Sequence, residues 1–224
     1  MSRTRIKICG NTNMSDLAHA ISCGCDAVGF ITDVPVKSPR KIDAKTAKYL
    51  IEQVPVFVEA VLVIMPEDLD SAMALIRETM PTCVQVHNDL LDCDLAVIAD
   101  AVRLIKTIAV PVDATPEVTD QIVSRIAELE GIADAILLDT STSARSEGGG
   151  TGKVHDWRIS AEIVERSSVP IILAGGLTPD NVSDAIRAVR PYAVDTASGV
   201  ETTKRRDPAK VQHFIEQCVV ADND

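Results

Sequence analysis

Cys9 closes an apolar run, RIKIC, and is followed at once by Gly10 and the polar Asn11. A thiol in that position is either a small buried hydrophobe or, with some thiolate character, a base or nucleophile. Gly10 beside it leaves room for a ligand. Asp139 closes a second apolar run, DAILLD. It reads as an ion-pair partner of Arg145, as a turn cap, or as a general acid or base. His87 ends the run CVQVH, and Asp195 lies in AVDTA. The segment VKSPRK (36–41) puts three cations, Lys37, Arg40 and Lys41, within six residues. Such charge runs are usually solvated loops. The planar guanidinium of Arg40 can also hold a carboxylate through two parallel hydrogen bonds. Two glycine segments, AGGL (174–177) and ASGVE (197–201), contain Gly175, Gly176, Ser198 and Gly199. Glycine permits a tight turn, and it also lets backbone N–H groups approach phosphate oxygens, with Ser198 adding a hydroxyl. His19, His87, His155 and His213 show no metal-ligand spacing, so no metal is expected.

These residues need a scaffold that brings them together. Short β-branched runs predict strands at 5–9, 26–31, 56–64, 83–87, 102–109, 134–139, 169–174 and 193–197. Segments of helical period lie between them, at 15–24, 43–53, 67–79, 92–100, 116–130, 158–167, 179–189 and 207–219. Ser15, Asp43, Thr178 and Asp207 are candidate caps, and Pro66, Pro116, Pro179 and Pro208 suit a first turn. Continuous apolar strands alternating with helices indicate a parallel sheet buried on both faces. Eight even strand–helix units without a linker predict a single (β/α)8 TIM barrel over 1–224, with an open doubly wound sheet as the alternative. In a barrel, Cys9, His87, Asp139, Asp195 and both glycine segments all fall at the mouth formed by the strand C-termini. The loops after strands seven and eight are the recurrent phosphate site of that fold. The polar stretch 140–157, after strand six, reads as a lid or a solvent loop.

Composition narrows the class. Asp plus Glu is 33 against 22 Lys plus Arg, a net charge of −11, which disfavours nucleic-acid and anionic-membrane binding. With aromatics at 3%, the core has to come from Val, Ile, Leu and Ala. The six cysteines lack zinc-site pairing and fit reduced thiols in a cytoplasmic protein. The N-terminus carries no signal-peptide pattern, and no apolar run reaches membrane-span length. The expected partner is a small phosphorylated molecule, and the chain is either a monomer or a homodimer.

The motifs in order are KICGNTN (7–13), DAVGF (26–30), KSPRKI (37–42), QVH (85–87), LLDT (137–140), GGTGKVHDW (149–157), ILAGGLTPDNV (172–182) and AVDTASGVE (193–201). Together they resemble the phosphoribosylanthranilate isomerases of tryptophan biosynthesis, one block per strand end and over nearly the whole chain. The resemblance implies a cofactor-free Amadori rearrangement of N-(5-phosphoribosyl)anthranilate to 1-(2-carboxyphenylamino)-1-deoxyribulose 5-phosphate. Carried over position by position, it implies Cys9 as general base and Asp139 as general acid. Arg40 would hold the anthranilate carboxylate, and Gly175, Gly176, Ser198 and Gly199 would cradle the phosphate. His87 and Asp195 would orient the sugar or the amine, and closure of 145–152 would protect an iminium intermediate from water. The chain departs from the family pattern in ITDVPVKSPR, in HND after strand four and in DTASG at strand eight. A related sugar-phosphate isomerase of histidine biosynthesis would carry Asp in place of Cys9. A non-catalytic phosphate-binding barrel would need neither Cys9 nor Asp139.

Overall fold

The computed structural model describes residues 3–35, 37–141 and 154–223. Eight parallel strands form its centre: β1 (Arg5–Ile8), β2 (Ala27–Thr32), β3 (Glu59–Ile64), β4 (Cys83–Val86), β5 (Arg103–Pro111), β6 (Ala135–Ser141), β7 (Ile171–Leu173) and β8 (Ala193–Thr196). β1 pairs with β2 on one side and with β8 on the other, so the sheet closes on itself and the open-sheet alternative is excluded. Eight helices alternate with the strands: α1 (Met14–Ser22), α2 (Ala44–Ile51), α3 (Leu69–Thr79), α4 (Asp92–Ala101), α5 (Pro116–Glu128), α6 (Trp157–Arg166), α7 (Val182–Val189) and α8 (Pro208–Asn223). None of them is long and apolar enough to cross a membrane, among the described residues.

The strands are apolar on both faces because both are covered. Ile6, Ile8, Val28, Phe30, Leu62 and Ile64 point to the helix layer and belong to one cluster. Cys9, Val61, Val63, Ile105, Leu137 and Ile172 have the opposite parity and fill the barrel interior as a second cluster. That period of two assigns the functional side chains: Lys7, Cys9, Gln85, Thr107, Asp139 and Asp195 all share the inward parity.

Pro116 and Pro208 open α5 and α8 as expected, whereas the starts of α1 and α3 are set by side-chain caps. Asn13, not Ser15, caps α1 by accepting from the Asp16 amide. Asp68 and Ser71 form a reciprocal capping box on α3, so that helix begins after Pro66 rather than around it. α7 likewise starts at Val182, because Asn181 first turns back to accept from the Thr178 amide at 2.8 Å. Asp43 caps α2, and Asp207 accepts from the Ala209 and Lys210 amides at the start of α8. The third strand begins at Glu59 instead of 56, since Phe57 takes a left-handed φ of 70° that interrupts an extended chain.

Candidate active site

The end of β1 is shaped by two glycines. The Cys9 amide donates to Thr196 O at 2.8 Å, which fixes the β1 end against β8. A side chain at Gly29 on β2 would place its Cβ 2.6 Å from Cys9 Sγ, so the thiol occupies space that only glycine leaves open. Gly10 has a φ of 78°, and a Cβ there would lie 2.6 Å from Arg40 Cδ. The room expected beside Gly10 for a ligand is therefore taken by the chain's own Arg40 stem, which corrects that expectation. The thiol is 5% exposed. Burial pushes its proton affinity up and nearby Asp195 adds to this, while the Lys7 ammonium and the Arg206 guanidinium pull it down.

A polar layer lies beneath. Lys7 Nζ donates to Asp195 Oδ1 at 2.8 Å and to Gln85 Oε1 at 2.9 Å, and Gln85 Nε2 donates to Thr107 Oγ1 at 3.0 Å. The layer therefore joins β8, β1, β4 and β5 across the barrel. Burial opposes the charge on Lys7, but the attraction of Asp195 and Cys9 outweighs it and holds the ammonium above its ordinary range. Burial raises Asp195, with Lys7 acting against the rise and Asp139 adding to it. The two partners thus shift in opposite senses for the ion pair. We take the ammonium as the firmly charged member, because two oxygen acceptors hold it.

Across the mouth, Asp139 Oδ2 stands 3.5 Å from His87 Nε2. Arg145, the alternative partner of Asp139, and the 145–152 segment lie outside the described residues. The next residue, Thr140, is tied to His155: its Oγ1 is 2.8 Å from His155 Nδ1, and His155 Nε2 is 2.5 Å from Ser160 Oγ. Both hydroxyls can rotate to suit either tautomer of a neutral imidazole. Burial lowers the His155 pKa to about 4. Because the folded value lies below the unfolded one, this stability is complete above about pH 6.5 and is lost as pH falls toward 4. Acidification from pH 7 to 4.5 should cost about 2 kcal/mol through this group. Urea unfolding of His155→Gln at both pH values should show a flatter dependence, and an unchanged dependence would place the titration elsewhere.

Arg40 sits at the rim and is already paired. Its Nε and Nη2 donate to the two carboxylate oxygens of Glu201 at 2.6 and 2.8 Å, and the side chains are 13% and 7% exposed. Lys37 is exposed and lines a cleft of about 490 Å³ with Pro35, Ser38, Pro39 and Lys41. That cleft lies on the loop after β2, and neither Cys9 nor Asp139 lines it. Arg206, in a short hairpin pairing Glu201–Thr202 with Arg205–Arg206, donates to the carbonyl oxygens of Cys9 and Ala197.

The two glycine segments are locked together. Gly175 and Gly176 have φ values of 85° and 71°. A Cβ at Gly175 would overlap Thr140 Oγ1, and one at Gly199 would overlap Leu177 O, to which Thr196 Oγ1 donates at 2.8 Å. Ser198 opens a single 3-10 turn, Ser198–Val200. Close packing between the loops after β6, β7 and β8 thus demands glycine at 175 and 199.

The mouth accordingly gathers Cys9, His87, Asp139 and Asp195, with Arg40 at the rim and the glycine loops after β7 and β8. Sequence reasoning missed Lys7, Gln85, Gly29, Glu201 and Arg206. Lys7 and Gln85 carried a usable signal, since each is a polar residue at inward parity inside an apolar strand. Glu201 and Arg206 carried none, because their partners are far off in sequence.

Residues 6–217 match the family described as N-(5'-phosphoribosyl)anthranilate (PRA) isomerase. The chain is 48% identical over 223 residues to the N-(5'-phosphoribosyl)anthranilate isomerase of Methanosarcina acetivorans, covering 96% of this chain and 93% of that relative. It resembles a structure of monomers generated from the dimeric enzyme of Thermotoga maritima, with a TM-score of 0.81, 29% identity, and coverage of 97% and 99% of the two chains. A phosphoribosyl anthranilate isomerase in complex with reduced 1-(o-carboxyphenylamino)-1-deoxyribulose 5-phosphate superposes with a TM-score of 0.79 at 29% identity, covering 97% of this chain and 99% of the other. By this match along almost its entire length, the chain belongs to the phosphoribosylanthranilate isomerase family.

Proposed function

We propose that the chain isomerises N-(5-phosphoribosyl)anthranilate, with Asp139 as general acid and Cys9 as general base. One observation carries the reading: a thiol just past the end of β1 and a carboxylate on β6 share the mouth of a barrel whose last two loops are glycine-built. Asp139 donates a proton to the furanose ring oxygen, the C1–O bond breaks, and the nitrogen lone pair forms an iminium. Cys9 removes the C2 proton, the C–H electrons become the C1–C2 double bond of an enolamine, and tautomerisation gives the ketone. His87, 3.5 Å from Asp139, orients that carboxyl group, and Asp195 faces the sugar. The Gly175–Gly176 and Ser198–Gly199 loops supply amides to the phosphate, remote from the reacting carbons. Substrate formed from anthranilate and phosphoribosyl pyrophosphate by a transferase should be consumed when this chain is added, with the ketose appearing. Its persistence would overturn the reading.

Arg40 is the proposed anthranilate clamp. Its Nε–Nη2 edge is occupied by Glu201, so the substrate carboxylate meets the remaining Nη1 side. Arg40→Lys keeps the charge but loses the fork, and KM should rise by about tenfold, the scale of a lost charge-assisted pair. An unchanged KM would remove Arg40 from the site.

Of the two oligomeric states open from sequence, the homodimer has the better support. The Thermotoga maritima relative is dimeric. Here Val56 and Phe57 are 81% and 100% exposed at the entry to β3, an apolar tip that a second copy would cover. Light scattering should give the mass of two chains for the native protein and of one for Phe57→Asp. A monomeric native protein would overturn this assignment. The six cysteines are all free, which fits a reducing, cytoplasmic compartment.

A further inference from the structure

We propose that Lys7 is a positioning residue for the reaction: its ammonium, clamped by Asp195 and Gln85 one side-chain layer below Cys9, is the fixed positive charge against which the Cys9 thiol gives up its proton. The inference rests on the reading of Cys9 as base. Lys7 lies on β1 and Cys9 directly follows that strand, two residues on and with the same inward parity, one layer above. Lys7 is 3% exposed, and a buried ammonium is costly where an apolar side chain would fill the same volume. Ion pairs of this kind add little net stability, so stability alone is a poor reason for a lysine here.

The geometry suits a task directed at the thiol. Two ammonium protons go to Asp195 and Gln85, at 2.8 and 2.9 Å, and Gln85 is itself fixed by Thr107. Cys9 shares the inward face of the barrel with Lys7, and the ammonium pulls the proton affinity of the thiol down. Other charges face the same thiol. Asp195 on β8 opposes its ionisation and Arg206 in the hairpin favours it. Arg40 and Glu201 pair with each other beside Gly10, and Asp139 with His87 lies across the mouth. Among these groups Lys7 exerts the strongest pull toward the thiolate. Burial still favours the protonated thiol, so the thiolate is a minor form whose population Lys7 raises, its proton passing to water. The thiolate then takes the C2 proton, and Lys7 keeps all its protons throughout.

The test is Lys7→Gln, whose amide can still donate to Asp195. Two quantities are followed against pH: kcat/KM, and the iodoacetamide alkylation rate of Cys9, resolved by peptide mass from Cys23 and Cys93. The acid limb of kcat/KM and the alkylation midpoint should both move up by about one pH unit, tenfold in thiolate population. Lys7→Arg should recover part of the shift. A folded Lys7→Gln with both midpoints unmoved overturns the proposal. If that variant does not fold, Lys7→Met combined with Asp195→Asn replaces the pair by neutral groups and is read by alkylation alone. A smaller upward shift is then expected, because the Lys7 pull exceeds the Asp195 push, and an unmoved midpoint again overturns it. The two readings fail separately: normal turnover in Cys9→Ser removes the base, whereas an unshifted Lys7→Gln beside an inactive Cys9→Ser removes only the role of Lys7.

Discussion

Cys9→Ser should turn over substrate about 10²-fold or more slowly than the native chain, with KM changed far less than kcat. The substitution keeps the shape of a side chain wedged against Gly29, so the barrel should unfold at nearly the same urea concentration. What it removes is an ionisable group. A serine hydroxyl stays protonated even beside Lys7, whereas a thiol ionises far more readily. The effect therefore belongs to the proton-transfer step and not to binding. Steady-state kinetics with a circular-dichroism check of folding would measure it, and near-native turnover in the folded variant would remove Cys9 from the base role.

Asp139→Asn is expected to match or exceed that loss. The amide preserves volume and can still approach His87, whose Nε2 is 3.5 Å from the native carboxylate. It cannot deliver a proton to the ring oxygen, so ring opening stalls and kcat should fall by on the order of 10² to 10⁴. Binding of a stable phosphorylated product analogue should stay within a few-fold of native, because the glycine loops after β7 and β8 are untouched. Titration calorimetry beside the kinetics separates the outcomes. If affinity collapses in step with rate, Asp139 is a binding residue and the acid lies elsewhere.

The local sequence determined which segments become strands and helices, and which polar residues end the strands. The apolar strands, three to nine residues long, suit a parallel sheet covered on both faces, and the alternating helices supply that cover. Cys9, His87, Asp139 and Asp195 were legible for the same reason: each is a reactive side chain at the point where an apolar run stops. Helix starts were less legible, because a cap depends on a side-chain oxygen reaching a particular amide, as those of Asn13 and Asp68 do, and not on proline alone. The tertiary structure decided what each group faces. Closure of β1 onto β8 brings Lys7 to Asp195 across 188 positions, and Arg40 reaches Glu201 across 161. It also decided why Gly29 and Gly199 are glycines, since the atoms that exclude a side chain there belong to distant strands and loops. A sequence pattern carries short-range propensity and parity. Charge pairing and close backbone approach are long-range quantities, set only when the barrel has closed.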